Sequence, residues 1–180
     1  GGATGAASSA AVVSKVAGTT IRGSDRYDTN YQVNKANMTA GKPLFVVTGT
    51  DFPDALSIGP VAGMLEGSVV LSGPGGLGSD MLKLMEQRSP SAVYVVGGTG
   101  AISDAVASQL QSATGKTVER ISGKDRYETS AAVFDRFFKD RSFSAPFIAS
   151  GEDYPDALSA ASAGGALARP VVLVAGTAKD

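Results

Sequence analysis

Leu44-Phe45-Val46-Val47-Thr48-Gly49-Thr50-Asp51-Phe52-Pro53-Asp54-Ala55-Leu56-Ser57 decides the fold. Its first four residues are apolar without alternation. That marks a strand buried on both faces, as in a parallel sheet. The turn that follows opens a helix at Asp51, which continues through Ile58, Val61, Ala62 and Leu65. The stretch then comes back: Thr48 to Ser57 returns as Ser150-Gly151-Glu152-Asp153-Tyr154-Pro155-Asp156-Ala157-Leu158-Ser159, behind a second apolar run at Pro146-Phe147-Ile148-Ala149. Upstream, Gly23-Ser24-Asp25-Arg26-Tyr27-Asp28-Thr29 returns as Gly123-Lys124-Asp125-Arg126-Tyr127-Glu128-Thr129. The offset is 100 residues for this block and 102 for the other, so two residues were inserted between them. The chain is an internal duplication, and function is read from what was copied.

Working outward, strands at Ser68-Val69-Val70-Leu71, Ala92-Val93-Tyr94-Val95-Val96 and Thr117-Val118-Glu119-Arg120-Ile121 alternate with helices carrying Met81, Leu84 and Met85, then Ile102, Val106 and Leu110. The second copy repeats the order, with a helix through Val133, Phe134, Phe137 and Phe138, a helix over 156–168 and a strand at Pro170-Val171-Val172-Leu173-Val174. This is an α/β pattern: a mainly parallel sheet with helices on both faces. Residues 1–11, nearly all Gly, Ala, Ser and Thr, read as a flexible lead-in. Residues 12–115 read as the first repeat, opening with a strand that runs to Ile21. Residues 116–180 read as a second, incomplete repeat. An unfinished sheet leaves an open edge, for which residues 12–16 or a neighbouring chain are the expected cover.

The totals exclude several function classes. Sixteen basic and seventeen acidic residues nearly cancel, unlike the basic excess of a nucleic-acid binder. Without cysteine or histidine there are no disulfides, no thiolate metal site and no Ser-His-Asp or Cys-His chemistry. No apolar run approaches the roughly 20 residues that span a bilayer. No signal peptide is visible, and the start at Gly1 reads as a cut or processed end.

The copied acids fit helix starts. Asp25 with Asp28, Asp125 with Glu128, Asp51 with Asp54, and Asp153 with Asp156 have capping-box spacing. Capping does not explain Arg26 and Arg126, cations at the unfavourable end of a helix dipole. Each calls for an anionic partner: internally Asp54 or Asp156, externally an anionic ligand. Tyr27 and Tyr127 either pack under the sheet or stack on a sugar. The run Gly73-Pro74-Gly75-Gly76-Leu77-Gly78 matches GxGxxG, but Val96-Gly97-Gly98 lacks the acid that a dinucleotide site needs. No P-loop follows any glycine turn. Asp51 and Asp54 alone are a weak metal pair. No cofactor or metal is expected.

The copied blocks, with Val95-Val96-Gly97-Gly98, resemble the cell-wall-binding type 2 repeat of Gram-positive surface proteins over about residues 18 to 175. The resemblance implies Toprim-like modules in tandem, usually three packed as a triangle. It implies a non-catalytic, extracellular role at the cell surface: anchoring to an anionic wall glycopolymer. The alternative is a structural or adhesive domain whose repeats contact one another. The site residues that follow are Arg26 and Arg126, with Tyr27, Tyr127, Arg22 and Arg120. The partners that follow are the polymer and a second copy completing the unfinished repeat, with neither nucleic acid nor membrane insertion. Polymer binding by local cations weakens with salt.

Overall fold

The computed structural model describes residues 20–142, 145–152, 160–161, 163–165, 167 and 169–176. The lead-in, the strand expected from residue 12 and the copied block at 153–159 lie outside the described residues, as does part of the helix expected over 156–168. Where that first strand was expected to end, Thr20 to Arg22 are described and are not in a strand.

The elements alternate as the pattern requires. Helix α1 (Arg26–Asn37) precedes β1 (Leu44–Thr48), α2 (Pro53–Met64), β2 (Ser68–Ser72), α3 (Ser79–Arg88), β3 (Val93–Val96) and α4 (Asp104–Thr114). Then come β4 (Val118–Ile121), α5 (Arg126–Phe137), β5 (Phe147–Ser150) and β6 (Val171–Val174). One sheet has the order β2-β1-β3-β4 and the other pairs β5 with β6, parallel throughout. Strand β1 is central, with Leu44 opposite both Ser68 and Val93, and all five of its residues are buried.

Strand alternation sorts the core into two layers. Leu44, Val46, Val70, Val93 and Val95 face Met81, Leu84 and Met85 of α3 and Val106 and Leu110 of α4. Phe45, Val47, Val96 and Ile121 face Ile58 and Val61 of α2 and Val133 and Phe137 of α5. Helix α5 opens the second copy, yet it buries against the first copy's sheet. Strand β4 does the same, pairing with β3 from Val93↔Val118 to Val96↔Ile121. The two copies therefore share one core layer.

The outer edge of β2 is closed by side chains. The Asn30 amide donates to Val69 O at 3.1 Å, and its oxygen accepts from Leu71 N at 3.0 Å, imitating a neighbouring strand. Asn34 adds a second donor to Val69 O at 3.1 Å. In the second copy Ser130 Oγ accepts from Leu173 N at 3.0 Å. An edge so occupied is a poor template for another strand.

Candidate functional site

The copied blocks meet at the carboxyl ends of the strands, where open α/β sheets place their sites. Asp25 has extended backbone, and its carboxylate accepts from Tyr27 N and Asp28 N, both at 2.8 Å, so it caps α1. Asp125 caps α5 in the same way, accepting from Tyr127 N at 2.9 Å and Glu128 N at 2.8 Å. Asp28 and Glu128 do not close the capping box on the cap residue itself. They reach one residue further back, to Ser24 N at 2.8 Å and Lys124 N at 2.9 Å. The bonds from Ser24 and Gln32 hold the Asp28 carboxyl below its ordinary range. Thr29 and Thr129 accept from Gly23 N and Gly123 N at 2.9 and 3.0 Å. A Cβ on Gly23 would lie 2.5 Å from Asp28, which is why a glycine opens the block.

Arginine and tyrosine tie this block to the other one. Arg26 Nη1 donates to Gly49 O at 2.6 Å, and Arg126 Nη1 donates to Gly151 O at 2.9 Å. The tyrosine rings lie against the same glycines. A Cβ on Gly49 would meet Tyr27 at 2.3 Å, and one on Gly151 would meet Tyr127 at 2.6 Å. The expected pairing of Arg26 with Asp54 does not form. Among the described residues Arg26 makes no ion pair, and its guanidinium instead sits 5.7 Å from the Phe52 ring centroid. The tyrosines pack, and both arginines remain exposed at the surface.

The second aspartate pair works differently from the first. Phe52, not Asp51, holds the N-cap position of α2, with helical backbone and no side-chain cap bond. A cap needs extended backbone, and Pro53 in the first turn has no N–H to donate to one. Asp51 accepts instead from Phe52 N at 3.0 Å and approaches Arg126 Nη2 at 3.6 Å, so it faces the other copy. Asp54 sits against Gly97, whose Cβ would lie 2.6 Å from Asp54 Oδ2. Burial, then the Asp51 charge, push the Asp54 carboxyl up to about 6, while Arg126 pulls it down. Asp153 and Asp156 lie outside the described residues.

Arg120 is half-buried and internally satisfied, donating to Gly97 O at 2.9 Å and Asp104 Oδ1 at 3.0 Å. Arg22 is exposed beside Gln32 and Lys35. In the Gly73–Gly78 run, Gly73 and Gly76 bond each other at 3.2 and 3.0 Å, and Gly78 precedes α3. A cleft of about 440 Å³ opens there, lined by Tyr27, Tyr31, Pro74 and Met81 with Asp28 and Asp80. Among the described residues no three His, Cys, Asp or Glu side chains are grouped to hold a metal, and no helix is long and apolar enough to cross a membrane.

The chain is similar to known proteins. The chain is 33% identical over 141 residues to N-acetylmuramoyl-L-alanine amidase LytC of Bacillus subtilis, covering 78% of this chain and 27% of that protein. It is 28% identical over 158 residues to the amidase enhancer of the same organism, covering 88% and 21%. Cwp6 and Cwp8 from Clostridium difficile superpose with TM-scores of 0.76 and 0.78 at 25% identity. These two superpositions cover 86% and 91% of this chain, and 24% and 28% of those proteins. The chain thus spans about a quarter of each relative's length. The family model of cell wall binding domain 2 matches residues 20–107 and 120–180, taking in both copies of the motif, and the chain belongs to that family of binding domains.

Proposed function

We propose that the chain is a non-catalytic anchoring module that holds its parent protein on the outer cell wall by binding an anionic wall glycopolymer. One observation carries this reading. The same segment matches about a quarter of an amidase and about a fifth of an amidase enhancer, proteins with different names. A segment shared across different roles supplies attachment rather than either activity. Repeated weak contacts along a polymer suit a duplicated scaffold, because linking sites multiplies affinity. We further read residues 12–115 and 116–180 as tandem Toprim-like modules. Arg22, Arg26 and Arg126 are the outward cations of the copied edge, with Arg120 held internally. A second copy pairing with the unfinished repeat belongs to this reading.

Pull-down on purified walls tests it. Retention on intact walls and its loss after the anionic polymers are stripped is the expected result. Equal retention on stripped walls contradicts it. A structural role for the repeats is favoured by a separate observation: Arg26 and Arg126 both bind backbone carbonyls of the neighbouring block. On that second reading Arg26→Ala lowers the melting temperature and leaves wall retention of the folded fraction unchanged.

A further inference from the structure

The copied arginines are tied to carbonyls of the copied blocks, and a second set of cations gathers elsewhere. Helices α1 and α3 pack side by side, and a groove of about 370 Å³ runs between them. It is lined by Tyr31 and Lys35 of α1 and by Asp80, Lys83, Gln87 and Arg88 of α3. Three cations thus face one carboxylate. Lys35 and Lys83 are exposed, and none of the three cations makes an ion pair among the described residues. Lys35 lies 5.8 Å from the Tyr31 ring centroid.

Arg88 is the telling member. It stands in the last turn of α3, where a cation suits the helix dipole. Its Nη2 reaches Lys35 O at a long 3.4 Å. Its Nε is buried and has no hydrogen-bond partner among the described residues. A buried charged donor without an acceptor is costly, and native proteins rarely keep one without a reason. Arg88 also lines the groove, and its guanidinium fork suits an oxyanion seated there.

The groove is not part of the duplication. By the 100-residue offset, Tyr31 and Lys35 correspond to Ala131 and Asp135. At these positions the second copy carries neither the aromatic face nor the positive charge.

We propose that the groove between α1 and α3 binds an anionic sugar unit, with its phosphate or carboxylate on Lys35, Lys83 and Arg88 and its ring on Tyr31. This rests on the polymer-binding reading above and places the contact on the first copy alone. Its size falls within the usual few hundred Å³ of small-ligand sites. Aromatic face and cations together select a charged saccharide over a bare anion or a neutral sugar.

Amide NMR titration of the full chain tests this with three probes: glucose 1-phosphate, glucuronic acid and glucose. The two anionic sugars should shift resonances around Lys35, Lys83 and Arg88, and glucose should bind about tenfold more weakly or not at all. Response to only one of the anionic probes identifies the charged group. Lys83→Gln and Lys35→Gln, both at exposed positions, should weaken the anionic probes about tenfold with little change in melting temperature. Equal binding of glucose, or unchanged affinity in both variants, overturns the proposal. Wall retention separates the two readings. If walls still hold both variants like the parent chain and release all three once stripped, the groove is wrong and the anchoring reading stands. If stripped walls hold the parent chain equally well, the anchoring reading fails, and the sugar titration still decides the groove.

Discussion

Arg126 Nη2 lies 3.6 Å from Asp51 Oδ2, and the two residues come from different copies of the duplication. The same guanidinium donates to Gly151 O within its own copy. One arginine therefore closes a strand-to-helix turn and touches the neighbouring repeat. The pair is open to solvent, at 41% and 62% side-chain exposure, so the ionic contact contributes about 0–1 kcal/mol. The hydrogen bond to the carbonyl is the stronger part.

Arg26→Gln and Arg126→Gln should each lower stability by about 1.5–3 kcal/mol, the range for hydrogen bonds to a charged group. Urea unfolding at neutral pH measures this. Equal losses in the two variants are expected if the carbonyl bond dominates, because only Arg126 has the acid as well.

Gly49→Ala should destabilise by about 1–3 kcal/mol, since its Cβ would lie 2.3 Å from the Tyr27 ring. A double-mutant cycle with Tyr27→Ala checks the cause. The two losses should be strongly sub-additive. Additive losses would place the strain elsewhere.

Asp25→Ala and Asp125→Ala should each cost about 1 kcal/mol, as cap removals do. Asp51→Ala should cost less, because Asp51 caps nothing. Thermal melts of the three variants give the comparison directly.

Asp54 sets a pH dependence. Its carboxyl ionises near pH 3.8 when unfolded and at about 6 when folded. Between these values the native state holds a proton that the unfolded chain has released. Stability from this group is therefore greatest on the acid side and falls as pH rises through that window. Asp54→Asn should raise stability at about pH 7.5 by roughly 1–2 kcal/mol, after allowance for solvent, and change little at about pH 4. A gain at acid pH instead would reverse the sign and refute the assignment.

Much of this was legible from residue order. The non-alternating apolar runs gave the parallel strands because burial on both faces leaves no polar period. Asp25 and Asp125 announced their helices because a cap is local chemistry. The partner of Arg26 was not legible, because a backbone carbonyl leaves no mark on the sequence. Even so, the contact follows the duplication: its span is 23 residues in the first copy and 25 in the second, absorbing the two-residue insertion. Asn30 and Ser130, which hold the edges of β2 and β6, are not legible in the sequence because polar residues on a helix usually read as a solvated face. Asp51 misled through spacing alone, since Phe52 and Pro53 alter the backbone on which a cap depends. The groove has a trace in the sequence: Tyr31 and Lys35 do not recur, and differences between copies carry as much information as matches.

Calorimetric titration of the chain with purified anionic wall polymer, free of peptidoglycan, addresses the anchoring claim most directly. Run at low and at high ionic strength, it should show saturable binding that weakens markedly as salt screens the surface cations. No binding at low salt, or an affinity indifferent to salt, would contradict the account.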